Sequence, residues 1–247
     1  MKFLSPFILF CLVTDLLYSQ DAKEIVKRAD DKMRGKTSQA EMVIKTTRPT
    51  WTREMAVRTW MKGSGYAIIL ILSPVKDKGT VFLKRKKEVW NWLPTLERSI
   101  KLPPSMMSQS WMGTDFTNDD LVKESSVVED YDHSVLGDTL IFEKDCYIIQ
   151  MIPKPEAAVV WGKLIVCIDK KDFIELHSRF YDEDGILINT MNAFDIKEMD
   201  GRLIPTRLEM IPSDKKNQKT EIFYKKIFFN RPIEDTYFTL DKMRNLN

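Results

Sequence analysis

The chain has 247 residues, 43% hydrophobic and 30% charged, with a formal net charge of +2. That mixture suffices for one globular core and does not imply a membrane protein. The near balance of charge gives no electrostatic basis for nucleic-acid binding. The basic cluster Lys84, Arg85, Lys86, Lys87 is explained at least as well by a solvated strand end or turn.

Lys2 precedes an apolar stretch from Phe3 to Val13, and Leu16, Leu17, Tyr18 and Ser19 follow before Gln20. A basic start, a short apolar core and a small terminal residue predict a secretory signal peptide over residues 1–19, with 20–247 as a single domain. Ser5, Pro6, Thr14 and Asp15 interrupt the run, which falls short of the roughly 20 residues that span a bilayer. Cys11 follows Phe10 and precedes Leu12 and Val13, the wrong setting for lipid attachment, and is read as part of the signal. Removal of this segment takes Lys2 and Asp15 together and leaves the net charge unchanged.

From Asp21 to Met33, apolar Ala22, Ile25, Val26, Ala29 and Met33 recur at spacings of three and four, and Gly35 follows. This predicts one amphipathic helix. The pattern then turns to strands: Thr37–Thr47, Arg53–Lys62, Tyr66–Leu72, Thr80–Lys86 and Val89–Leu93 are strand-length and rich in β-branched and aromatic residues. Pro49, Gly63-Ser64-Gly65, Pro74, Asp77-Lys78-Gly79 and Lys86-Lys87 supply the turns.

Pro94 to about Ser125 breaks this pattern, with Pro103-Pro104, clustered Met and Trp, and then a short helix. Thr117 or Asn118 caps that helix, placing Asp119 and Asp120 in its first turn, where carboxylates favour the helix dipole. Strands resume at Thr139–Glu143, Tyr147–Ile152, Gly162–Ile168, Phe173–Tyr181, Ile186–Ile196, Leu203–Met210 and Thr220–Phe229. Asp182-Glu183-Asp184-Gly185 and Asp200-Gly201 read as hairpin turns. A meander of about eleven antiparallel strands must curl or close. The fold class is therefore mainly β (α+β), a curved antiparallel sheet forming a half-open barrel with helices lidding its concave face.

Cys146 and Cys167 lie on two neighbouring predicted strands. If Ile152 faces Trp161, the register sets Cys146 opposite Cys167, and an oxidising compartment would let them pair. A disulfide and two buried thiols are both open, because cross-strand disulfide geometry is demanding.

Enzymatic readings lack parts. His133 and His177 are the two histidines of the chain, too few for a multi-histidine metal site. Asp132-His133 reads as a polar loop and His177 as a partly buried strand residue. No G-x-S-x-G, P-loop or G-x-G-x-x-G motif occurs, and Asp182-Glu183-Asp184-Gly185 lacks the ligand spacing of a calcium loop. The expectation is a non-enzymatic protein with neither metal nor cofactor.

The informative stretch runs from Trp90 to Leu121. Trp90 and Trp92 share a strand face. Met106, Met107, Trp111, Met112 and Phe116 then place large, adaptable apolar groups in a region without regular pattern. They form either an ordinary core beneath a long loop or a ligand-facing surface. Gly113 permits a turn with positive φ, and Asp115 and Asp119 are read chiefly as stabilisers of the helix start.

Trp90-Asn91-Trp92-Leu93-Pro94, followed by Trp111-Met112-Gly113-Thr114-Asp115-Phe116-Thr117-Asn118-Asp119-Asp120-Leu121, resembles the outer-membrane lipoprotein-sorting domain proteins, relatives of the periplasmic carrier LolA. Lys78-Gly79-Thr80, Gly201-Arg202-Leu203-Ile204-Pro205-Thr206 and Phe238-Thr239 add to the resemblance, which covers nearly all of the chain after the signal. It implies a half-barrel that receives acyl chains of a lipoprotein or lipid and carries them through the periplasm. The further partners it implies are an inner-membrane transporter and an outer-membrane acceptor. That family's best-studied carrier holds its lid by hydrogen bonds from an arginine that precedes a proline at a strand end. The correspondence drawn from sequence sets Lys62-Gly63-Ser64 there, so the lock is absent or relocated.

On this reading acyl chains lie against Trp60, Tyr66, Ile68, Leu70, Trp90, Trp92, Met106, Met107, Trp111, Met112 and Phe116. Trp60 is the weakest member, because Arg58 and Lys62 share its strand face. Burial of ten methylenes at about 0.8 kcal/mol each supplies roughly 8 kcal/mol, near micromolar affinity, without an elaborate polar site. Two other readings stand beside it. One is an envelope interaction module, binding a membrane transporter or protein partner, whose barrel is filled by its own side chains. The other is a hydrolase with an acidic site at Asp115, Asp119 and Asp120.

Overall fold

The computed structural model describes residues 22–123 and 126–246; the expected signal peptide, Cys11 included, lies outside the described residues. Helix α1 covers 22–34. It stops at Gly35, whose N–H still reaches the Asp31 carbonyl at 2.9 Å and whose φ of +63° then turns the chain out of the helix. The strands that follow are β1 (Thr37–Thr47), β2 (Thr52–Lys62), β3 (Tyr66–Ser73), β4 (Val81–Arg85), β5 (Glu88–Leu93) and β6 (Arg98–Leu102). After a long crossing segment come β7 (Tyr131–Ile141), β8 (Lys144–Pro153), β9 (Lys163–Asp169), β10 (Glu175–Tyr181), β11 (Leu187–Met199), β12 (Arg202–Pro212) and β13 (Lys219–Phe229). A short helix, α2 (Leu240–Arg244), follows.

All thirteen strands form one antiparallel sheet in the order β6-β5-β4-β3-β2-β1-β13-β12-β11-β10-β9-β8-β7. Two meanders are thus joined where β1 pairs with β13, and β6 and β7 are left as the two edges. Residues 103–130 connect those edges, so this segment must cross the sheet from one margin to the other. Connectivity alone makes it a cover.

The sheet curls around that cover. One apolar cluster joins Leu102 of β6, Phe82, Ile69, Val57, Ile44, Ile222 and Met210 of β12 to Met107, Trp111 and Phe116 of the crossing segment. In a flat sheet β6 and β12 would stand roughly 30 Å apart. A common cluster therefore requires a concave inner face, which confirms the half-open barrel.

Two elements were missed or shortened in the sequence reading. β6 carries Arg98 and Lys101, and three of its five residues are exposed. Such a charged strand is tolerated at a sheet edge, where it also blocks further pairing. β7 starts at Tyr131, so Asp132 and His133 lie in a strand and not in a polar loop. His133 is buried, its Nε2 lies 2.7 Å from the Val127 carbonyl oxygen, and burial lowers its pKa.

The cysteine register also differs. β8 and β9 pair Cys146 with Asp169 and Ile148 with Cys167, two residues away from the expected pairing. The cause is that β8 extends to Pro153 and β9 begins at Lys163, leaving Trp161 outside the ladder. Both thiols are free and buried, beside Ile174 and Leu176, and burial raises both pKa values.

Candidate functional site: the lidded inner face

The pleat sends alternate residues to opposite sides of the sheet, and the pairing registers carry each side from strand to strand. Ile44, Met55 and Ile222 share the inner side, as do Val57, Ile71 and Met42. Trp60 pairs with Ile68, Arg58 with Leu70 and Lys62 with Tyr66, all on the outer side. The set continues through Leu83 with Trp90 and Val81 with Trp92.

The eleven residues expected to line one ligand surface are therefore split. Met106, Met107, Trp111, Met112 and Phe116 join the inner cluster with Ile69 and Phe82. Trp60, Tyr66, Ile68, Leu70, Trp90 and Trp92 lie on the other side, against Ile233, Tyr237, Phe238, Leu240 and Met243 of the C-terminal segment. Trp60 lies tilted 5.6 Å from Tyr237, and Tyr66 lies 5.4 Å from Phe238, centroid to centroid. Arg58 and Lys62 do share the face of Trp60, as their spacing required. Lys62 reaches the Ile233 carbonyl at 3.0 Å and pairs with Asp235 at 2.5 Å.

On the inner side an apolar cavity of about 70 Å³ remains between the sheet and its cover. Met33 from α1, Ala40 and Met42 from β1, Ile69 from β3, and Trp111 and Leu121 from the crossing segment are among its walls. Ser38, Thr59 and Tyr224 are the hydroxyl-bearing members. A second, wider depression of about 460 Å³ lies by the β5–β6 hairpin and α2. It is open and mixes Trp92 and Leu246 with Glu97, Ser99 and Arg244, so it offers an apolar chain little enclosure.

The cover is pinned by polar ties. Trp111 is fully buried and its ring lies 5.5 Å from that of Phe82. Met112 and Gly113 both have positive φ, 52° and 77°, which bends the chain sharply just after the tryptophan. Arg48, which precedes Pro49 at the end of β1, pairs with Asp115 Oδ2 at 2.9 Å and donates to the Gly113 carbonyl at 3.0 Å. Arg53 donates to the Met112 carbonyl. The Thr220 hydroxyl donates to Asp115 Oδ2 at 2.7 Å and accepts from the Asp115 N–H at 2.9 Å. Thr114, also buried, donates its hydroxyl to the Trp111 carbonyl at 2.7 Å.

Arg48 is thus an arginine before a proline at a strand end that ties the cover, whereas Lys62, the position that sequence correspondence had offered, is engaged on the outer face. The signal was available in the sequence as Arg48-Pro49 after the first strand.

The short helix begins where expected. A single π-helical turn spans Asp119–Lys123. The Thr117 hydroxyl accepts from the Asp120 N–H at 3.1 Å, while Asp120 Oδ2 accepts from the Thr117 N–H at 2.8 Å. This reciprocal pair is a capping box in miniature. Asp120 Oδ1 also accepts from Trp161 Nε1 at 2.8 Å. Desolvation among these groups outweighs the hydrogen bonds and raises the Asp120 pKa to about 6. Asp119 is buried. Asp115 and Asp120 are thus occupied in holding the cover, which favours the structural reading of both.

A family model described as "-like: Uncharacterized protein" matches residues 63–245, well over half of the chain. No curated protein matches it. Among solved structures, a DUF1329 family protein from Desulfovibrio piger superposes with a TM-score of 0.81 at 20% identity, covering 92% of this chain and 99% of that one. An outer membrane lipoprotein-sorting protein domain from Vibrio parahaemolyticus gives 0.81 at 21%, covering 92% and 99%. A LolA superfamily protein from Nitrosomonas europaea gives 0.79 at 22%, covering 90% and 98%. With the half-barrel, its crossing cover and the Trp111–Asp120 motif in place, the chain belongs to the family that this model describes, and its fold is that of the LolA-like outer-membrane lipoprotein-sorting domain.

Proposed function

We propose that the protein is a non-enzymatic periplasmic carrier that takes the acyl chains of a lipoprotein or lipid between the inner face of its sheet and the 103–130 cover. The observation that carries this reading is the apolar inner cavity, closed by a segment that polar ties hold at its edge. Such ties are exchangeable with water, so the cover can lift without unravelling the sheet. The cavity of about 70 Å³ is small beside the roughly 300–1,000 Å³ of ordinary ligand sites. An acyl chain therefore enters as the cover lifts, taking space now held by Phe116 and the methionines around Trp111. An inner-membrane transporter as donor and an outer-membrane acceptor complete the pathway.

One observation favours a second reading. The inner face is largely filled by the protein's own Met107, Trp111 and Phe116, as expected of an envelope interaction module that binds a transporter or protein partner. Native mass spectrometry of protein purified from a periplasmic extract, followed by solvent extraction and lipid analysis, separates the two. A co-purifying acylated molecule at near-stoichiometric level supports the carrier. A clean apo mass that also refuses added phospholipid and acylated peptide supports the module.

A further inference from the structure

Apolar enclosure alone does not distinguish a hydrocarbon from an acyl group. The inner cavity carries, beside the hydroxyls of Ser38, Thr59 and Tyr224, a buried donor that does. Trp111 lines it and is fully buried, yet its indole nitrogen has no acceptor among the described residues. The side-chain oxygen of Asn91 is likewise buried without a donor. Asn91 faces Phe82 across the β4–β5 ladder, and Phe82 in turn packs on the Trp111 ring. A donor and an acceptor thus stand unsatisfied around one aromatic ring, although each buried polar group left unpaired costs stability. Trp161 shows the contrast: its indole is also buried, and it donates to Asp120.

We propose that the Trp111 indole N–H is the polar recognition element of the cavity and donates a hydrogen bond to the carbonyl oxygen of a bound acyl chain. The inference rests on the carrier reading and narrows its cargo to chains that bear a carbonyl at the buried end. Ester-linked chains of a lipoprotein or phospholipid and free fatty acids share that group; alkanes do not. Trp111 sits on the cover, so the bond also couples cargo to closure. An acyl group that satisfies the indole draws the cover down, and a chain without an acceptor leaves the donor unpaired.

The test uses the full chain after signal removal and three probes built on the same sixteen-carbon chain: methyl palmitate, palmitic acid and hexadecane. Trp111 is replaced by 3-benzothienylalanine, which keeps the bicyclic shape and removes the N–H. The expected result is a three- to tenfold weaker affinity for a carbonyl-bearing probe, the range of one net hydrogen bond, with hexadecane unchanged. The probe that loses more, ester or acid, assigns the source of the carbonyl. Equal losses for all three, or none, overturn the inference and leave the carrier reading standing. Failure of the unmodified protein to bind any probe sinks both. A second measurement needs no substitution: the indole ¹⁵N–¹H resonance of Trp111 in the native protein. It moves downfield on saturation with methyl palmitate or palmitic acid and not with hexadecane. A resonance that ignores all three overturns the inference even if the variant fails to fold.

Discussion

The two faces of the sheet carry comparable apolar side chains but are closed by different means. On the outer face Trp60, Trp90 and Trp92 lie under a C-terminal segment whose Phe238 and Met243 are fully buried, in a closure that is chiefly apolar, with Lys62 tying Ile233 and Asp235 at its margin. On the inner face the cover is tied at its edge by Arg48, Arg53 and Thr220 and leaves a cavity behind it. A closure made by apolar burial is strong and permanent, because opening it exposes all of its surface to water. The inner cover also buries Met107, Trp111 and Phe116, but its ion pairs and hydrogen bonds stand at the edge of an incompletely filled space, where they can open and reclose. Tryptophan lies on both faces and does not tell them apart; the manner of closure does, and the proposed carrier role rests on it.

Three substitutions break or sharpen this comparison, in order of expected effect. Phe238→Ala removes a fully buried ring from the outer closure and should cost about 3–5 kcal/mol in a urea melt. Acyl-probe binding per folded molecule should not change. If binding falls with it, the outer face is part of the ligand surface and the contrast collapses.

Arg48→Ala leaves Asp115 without its cation in a pair whose side chains are 14% and 5% exposed. The loss should be about 3 kcal/mol, at the lower end for a buried pair. It should be concentrated in the cover: amide exchange should quicken over residues 107–121 and stay slow in β2 and β3. Uniform quickening would make Arg48 an ordinary stability determinant.

The smallest effect is a pH dependence. The Asp120 pKa is raised by burial to about 6 from its usual 3.8. Between those values the folded state holds a proton that the unfolded state has released, so the contribution of Asp120 to stability falls as pH rises from about 4 to 6. Relative to Asp120→Asn, the native protein should therefore lose stability, about 2 kcal/mol, over that window and change little above it. A flat difference would show that Trp161 and Thr117 hold the carboxylate charged throughout.

Much of the fold was legible because its signals are local. The alternation in β1, the spacing of Ala22, Val26 and Ala29 with Gly35 behind them, and Thr117 ahead of Asp119-Asp120 each read correctly from neighbouring residues alone. β6 escaped because an edge strand is not obliged to be apolar. The cysteine register escaped because Trp161 and Gly162 stay outside the ladder, and two unpaired residues at a strand end displace every partner along it by two. The segment after Phe229 escaped because Ile233, Phe238 and Met243 have neither strand nor helix spacing; they are set by the surface they cover.

Local sequence was enough for most of the strands, the turns, the first helix and the motif that bends around Trp111. It also determined that Trp90 and Trp92 share a face, since the pleat repeats every two residues. Which of the two faces is inside was decided only by tertiary structure. Alternation marks two sides of a strand without ranking them, and both sides of β3 are apolar: Ile68 and Leu70 outward, Ile69 and Ile71 inward. The choice was made by connectivity, because the segment between two edge strands must cross one face and the C-terminal tail was left to cover the other.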